Sequence, residues 1–155
     1  MTAMDTLEYG ERLNVAMTAV LDELASAQAK FGPMADRFEG AAVLQEEVDE
    51  WWHEIKHGAS DRVNMLAEAR QVCAMALRFT GDVCAEDPAE VLAVAATHAR
   101  LRFPSPHAAY AHVRGEMARL WEAVEVDHQR GTMAFIARMV AAHALHFLVV
   151  FGGAA

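Results

Sequence analysis

The chain repeats itself, and that limits its fold more than any single stretch does. A shift of 69 residues lays Ala42, Glu47 and Trp52 on Ala111, Glu116 and Trp121. A shift of 68 lays Arg70, Val72, Ala74, Ala76, Leu77 and Phe79 on Arg138, Val140, Ala142, Ala144, Leu145 and Phe147. Alanine matches are cheap in an alanine-rich chain. Six matches within ten residues that include arginine, phenylalanine and aliphatics are not cheap. Similarity at a fixed offset is the mark of a duplicated supersecondary unit.

The unit reads as three helices. Leu7, Leu13, Met17, Val20, Leu21 and Leu24 recur at helical spacing over about 4–30, until Gly32-Pro33 stops the run. A second helix is expected over 37–57 and a third over 62–84. Between them Gly58-Ala59-Ser60-Asp61 reads as a turn with Ser60 or Asp61 as the N-cap. In the second unit Asp87-Pro88 opens a helix as a cap followed by a first-turn proline, and that helix is expected to end near Arg102. After Pro104-Ser105-Pro106 a fifth helix covers 107–129, Gly131 breaks it, and a sixth runs from Thr132 to Phe151. No segment alternates with period two. The expected class is all-α, one domain over 1–155, with the first repeat over 1–85 and the second over 86–155.

Composition agrees and narrows the partners. The 155 residues suffice for one domain with a real core, and 54% are hydrophobic with only 4 Pro and 9 Gly. That apolar fraction suggests a buried helix–helix interface between copies. A formal charge of −9 argues against nucleic acid, whose backbone needs a clustered positive surface. Cys73 and Cys84 lack metal-site spacing and read as reduced core thiols. Met1 to Glu8 has no basic segment of the kind that opens a signal peptide. The apolar run Met139 to Phe151 carries His143 and His146 and is shorter than the ~20 residues of a spanning helix. It is expected to be a core helix in which both histidines pack without a metal, so the protein is read as cytoplasmic, with no membrane.

The chemistry is concentrated in Glu46-Glu47-Val48-Asp49-Glu50, which runs into Trp51-Trp52. On a helix Glu46 and Glu50, and Glu47 and Glu50, are same-face neighbours, and like charges at that spacing repel. No base follows until Lys56. Massed carboxylates point to a cation from outside the chain, a hard divalent ion such as Mg2+ or Mn2+. The plainer alternative is a solvated acidic helix face. If helices two and three form an antiparallel hairpin, Glu68 faces back and joins Glu47 and Glu50 at a common point, with Glu46 beside it. The second unit has lost this pattern: Gly115, Arg119, Ile136 and Met139 stand where Glu46, Glu50, Glu68 and Gln71 stand in the first, and Glu116 alone keeps it.

The run from Phe38 to Trp52, with Glu46-Glu47-x-x-Glu50, is followed by Glu68-x-x-Gln71 and Ala74-Met75-Ala76-Leu77-Arg78-Phe79. Together they resemble the MazG-like all-α nucleoside triphosphate pyrophosphohydrolases, closest to the small, often phage-encoded members. Phe103 to Tyr110 looks like the lead-in to the acidic helix of such proteins, so the resemblance covers both halves. The family pattern ends in Asp where this chain has Gln71. The resemblance implies hydrolysis of a nucleoside triphosphate to monophosphate and pyrophosphate. Glu47, Glu50 and Glu68 would hold Mg2+ or Mn2+, and Glu46 would orient or deprotonate the attacking water. It also implies dimerisation; here the second repeat would take the partner's place in a pseudo-dimer, and a homodimer of whole chains stays open. Arg114 and Arg119 would then reach phosphates, unless they simply face solvent.

Among the remaining residues, Lys56, Arg62 and Arg70 are candidates for the triphosphate tail, against the usual reading of charged helix ends. Gln71 could coordinate through its amide oxygen without adding charge. Trp51 is the candidate for stacking on a base, while the repeat-equivalent Trp52 and Trp121 are expected in the core. Two rivals remain. Glu50-x-x-His53, Glu54-x-x-His57 and Glu125-x-x-His128 each have the spacing used by di-iron carboxylate bundles, but they are not repeat-equivalent. The other rival is a duplicated module that has lost catalysis and binds a nucleotide or a protein.

Overall fold

Local signals start the helices where the sequence places them. The computed structural model describes residues 6–57, 62–98 and 103–152, and among these all regular structure is helical. The order is α1 (Thr6–Lys30), α2 (Arg37–His57), α3 (Arg62–Asp82), α4 (Pro88–Thr97), α5 (Pro106–Glu122), a π-helical turn (Ala123–Asp127) and α6 (Arg130–Phe151). Asp36 accepts the Glu39 N–H at 2.8 Å while Glu39 reaches back to the Ala35 N–H at 3.2 Å, in the manner of a capping box. Asp87 caps α4 and Ser105 caps α5, each followed by proline in the first turn. The turn expected at Gly58 to Asp61 and the expected extension of α4 to Arg102 fall outside the described residues.

One boundary departs from expectation. Gly131 does not break the chain but lies in the first turn of α6. The break is at His128, which adopts a left-handed conformation (φ 57°) and closes the π-helical turn through its N–H to the Ala123 carbonyl at 2.8 Å. Histidine is among the side chains that tolerate this region, whereas a glycine in a first helical turn disturbs little because its N–H has no intrahelical partner there.

α3 and α6 form the centre. Val72 to Thr80 is buried without interruption, and so is Val140 to Phe147. Small residues at the crossing (Ala69, Ala74 and Ala76 against Ala137, Ala141 and Ala144) let the backbones approach, and Cys73 Sγ meets the Ala141 carbonyl at 3.4 Å. α2 packs on α3 and α5 on α6, α1 lies against α3 and α6, and α4 against the same pair. By length and composition α6 could cross a membrane, yet two thirds of it is buried among its neighbours. Burial pushes the Cys73 thiol up and holds Cys84 at about 11, so both stay protonated.

Two aromatic positions differ from expectation. Trp51, not Trp52 or Trp121, is the core tryptophan: it is 0% exposed and meets Phe147 edge-on at 4.9 Å. Trp52 is half-buried and stacked on Tyr110 at 4.2 Å, and half-buried Trp121 donates its Nε1–H to Gln45 at 3.1 Å. His143 and His146 are buried in α6, as expected. Burial, then neighbouring His112, His146 and His98, lowers His143 to about 4. Burial also lowers His146, partly offset by the Ala95 carbonyl.

Two helical glycines make opposite predictions. A Cβ at Gly40 would meet the Phe79 ring at 2.7 Å, whereas at Gly115, in the exposed interior of α5, it would meet nothing within 4 Å. Gly40→Ala should cost about 1–3 kcal/mol through overpacking. Gly115→Ala should stabilise by about 0.5–1 kcal/mol, because helix propensity rises and no contact changes. Urea melts of the two variants measure both signs.

Candidate functional site

The antiparallel pairing of α2 and α3 gathers the acidic residues. One oxygen each from Glu47, Glu50 and Glu68 lies within 4.8 Å of the others, the only such group of three among the described residues. Opposite ligands of an octahedral Mg2+ are about 4.2 Å apart. Three oxygens on one such ion include adjacent pairs about 3 Å apart, so closing on it takes rotation of the glutamate side chains. Glu47 and Glu68 are half-buried, and each keeps one buried oxygen with no hydrogen-bond partner. Hard oxygen donors, left unpaired at a convergent point, fit a divalent cation.

Electrostatics make the same point. Burial first, then the charges of Glu50, Glu68, Glu46 and Glu23, raises Glu47 to about 7. Burial, then Glu50, Glu54 and Glu23, raises Glu68. The cluster is thus wider than the sequence indicated. Glu54, one turn beyond Glu50 on α2, was readable from spacing. Glu23 was not, because only the packing of α1 on α3 brings it near.

Two openings meet at the cluster. A cleft of about 700 Å3 between α1, the 31–34 linker, α2 and α3 is lined by Glu46, Glu47 and Gln71 together with Lys30, Phe31 and Met75. A shallower groove of about 530 Å3 between α2 and α5 is bounded by Glu46, Glu50, Asp49 and Trp121. Glu46 is exposed and borders both. Gln71 sits beside Glu47, where its amide can face the cleft.

Several expected contacts do not form. Trp51 is sealed in the core by Phe147 and Tyr110, so it offers no face to a base. Lys56 lies over the Trp52 ring at 5.6 Å and borders neither opening. Arg70 is paired with Glu23 at 3.6 Å, and Arg62 donates to the Phe151 carbonyl at the end of α6. The bases that do line the larger cleft are Lys30 and Arg78, which the sequence reading passed over. Arg78 is buried, pairs with Asp82 at 3.3 Å and donates to the Gly32 carbonyl, so it fixes the linker; Lys30 is exposed. No histidine joins the carboxylate group, and Glu125 and His128 lie exposed in the π-helical turn and just beyond it. No histidine and carboxylate group of the rival di-iron kind is therefore assembled among the described residues.

No protein-family model, curated protein or solved structure significantly matches the chain.

Because Glu47 holds its proton more tightly in the folded than in the unfolded chain, its contribution to stability is full below the ordinary carboxylate value. That contribution is lost as pH rises through about 7. Glu47→Gln mimics the protonated form. Without metal, the variant should melt close to wild type at roughly pH 5 and above it at roughly pH 8. Millimolar Mg2+ should reverse the order at the higher pH, since only the carboxylate binds the ion. Paired thermal melts in chelator and in Mg2+ measure this.

Proposed function

We propose that the chain is a metal-dependent nucleoside triphosphate pyrophosphohydrolase of MazG-like type, cleaving between the α- and β-phosphates. The observation that carries this reading is the convergence of Glu47, Glu50 and Glu68, two of them with unpaired buried oxygens, where Glu47 lines a cleft large enough for a nucleoside and Glu50 a second groove. These three carboxylates would hold Mg2+ or Mn2+. Such an ion binds phosphate oxygens, offsets developing charge and acidifies a bound water. Glu46, exposed between the two openings, takes the proton of the attacking water. Gln71 orients a phosphate or water through its amide, and Lys30 meets the anionic substrate from across the cleft. The substrate roles first considered for Lys56, Arg70 and Trp51 pass to groups that border the cleft.

The reading extends to the architecture: a single domain built as a tandem duplication, 1–85 and 86–155, packed as a pseudo-dimer. Exchange of α1, α2 and α3 with α4, α5 and α6 converts each helix–helix packing into another that also occurs. Cys73 touches Ala141, its own repeat equivalent, as residues on a two-fold axis do. In the second copy Arg119 pairs with Glu116 at 2.9 Å, so a guanidinium neutralises the surviving carboxylate where the first copy would use an ion. A pseudo-dimer needs no second chain to complete its site, and free thiols at Cys73 and Cys84 suit a cytoplasmic protein. Gln71 and the eroded second half favour the second reading, a catalytically silent module that still binds a nucleotide or a protein.

Pyrophosphate release with Mg2+ or Mn2+, measured across ribo- and deoxyribonucleoside triphosphates, tests the proposal. Pyrophosphate and the matching monophosphate should appear together. Glu47→Gln should abolish both, and Glu46→Gln should slow release by about 10²-fold or more. Nucleotide binding without any pyrophosphate would select the silent module instead.

A further inference from the structure

Two tryptophans one repeat apart have different surroundings. The shift of 69 residues that lays Trp52 on Trp121 also lays Ala41 on Tyr110. Where α2 and α5 meet near Trp52, Tyr110 covers that ring, with centroids 4.2 Å apart and planes 15° from parallel. Where they meet near Trp121, the tyrosine's counterpart is Ala41, which is buried and has no ring to offer. Among the described residues Trp52 therefore has a stacking partner and Trp121 has none. The Trp121 N–H is held by Gln45 at 3.1 Å, and Gln45 donates to Asp49 at 2.9 Å. The indole is thus fixed, half-buried, in the wall of the groove of about 530 Å3 between α2 and α5. A fixed aromatic ring lacking the partner that its counterpart has is a platform for a planar group from outside.

Charge decides which part of a ligand lies there. The groove is bordered by Glu46, Asp49 and Glu50 and by neither lysine nor arginine, whereas Lys30 and Arg78 line the cleft. Phosphates are repelled by the first lining and drawn to the second. The cleft has room for a nucleoside as well, so charge rather than space assigns the neutral half of a nucleotide to the groove. Groove and ion site are continuous, because Glu50 belongs to both. We propose, on the reading of the carboxylates as a nucleotide site, that Trp121 is its base-stacking residue. The base lies against the Trp121 ring as Tyr110 lies against Trp52, and the phosphates reach Glu47, Glu50 and Glu68. Stacking on an indole recognises a π-face that every base has. The second repeat, which lost its own acidic pattern, thereby contributes a residue to the site of the first.

The test is calorimetric binding of two Mg2+ complexes to the full chain: a non-hydrolysable α,β-imido nucleoside triphosphate, and inorganic tripolyphosphate, which has no base. Trp121→Ala should weaken the nucleotide by about 5–100-fold and leave tripolyphosphate unchanged. Trp121→Phe keeps a ring but not the N–H to Gln45, and should retain most of the nucleotide affinity. Ala42→Phe, at an exposed position on the groove, should fill it and weaken the nucleotide alone. Equal effects on both probes in Trp121→Ala and Ala42→Phe, including no effect on either, overturn the base site and leave the phosphate site standing. A loss in Trp121→Phe as large as in Trp121→Ala assigns the residue a structural role and also overturns it. Should Trp121→Ala fail to fold, Ala42→Phe decides by the same criterion. Wild type that binds neither probe overturns the nucleotide reading itself, and the base site with it.

Discussion

The contact between α3 and α6 is the constraint on which the rest of the structure depends. Each helix is buried on nearly every side over two turns or more, so neither can be a surface element. Two such helices can only sit at a centre, and alanines at their crossing set how near they come. α2 and α5 then close one side of the pair, and α1 and α4 cover what remains. The position of every acidic residue follows from this order. Glu68 is fixed by α3, Glu47 and Glu50 by α2 lying antiparallel to it, and Glu23 by α1 crossing α3.

Against this well-packed centre, the carboxylates are a local conflict. Burial and mutual repulsion lift Glu47 far above an ordinary glutamate, and two oxygens remain unpaired. Such frustration is a real cost in a molecule that is only marginally stable. The second half supplies an internal comparison. There Ile136 and Met139 replace Glu68 and Gln71, and Arg119 pairs with the surviving Glu116. There the like-charge conflict is absent: apolar side chains stand in place of two polar ones, and a guanidinium pairs with the remaining carboxylate.

Much of this was legible in the sequence, for reasons that differ by residue. The helices were readable because their periodicity and caps are local; α2 occupies the expected 37–57. The grouping of Glu47, Glu50 and Glu68 was readable because an antiparallel hairpin is the simplest way to pair α2 with α3. Trp51 was misjudged because adjacent residues on a helix differ by about 100° in direction. Composition could not say which of Trp51 and Trp52 faced inward. The partners of Lys56, Arg62 and Arg70 were not readable, because they depend on what crosses each cation: the Trp52 ring, the Phe151 carbonyl and Glu23. The chain break was placed at Gly131 when His128 makes it, since π-helical geometry has no simple signature in composition.

The sequence by itself determined the helices, their rough limits and the presence of a repelling run of carboxylates, because these depend on spacing along the chain. Only the tertiary structure decided which charges meet and which are already paired. It added Glu23 and Lys30 to the surroundings of the carboxylates, paired Arg70 with Glu23, buried Trp51, and stacked His112 of α5 on His143 of α6. Their convergence depends on how helices cross rather than on local order. Crossing is set by the summed packing of many small contacts, and no single residue carries that sum.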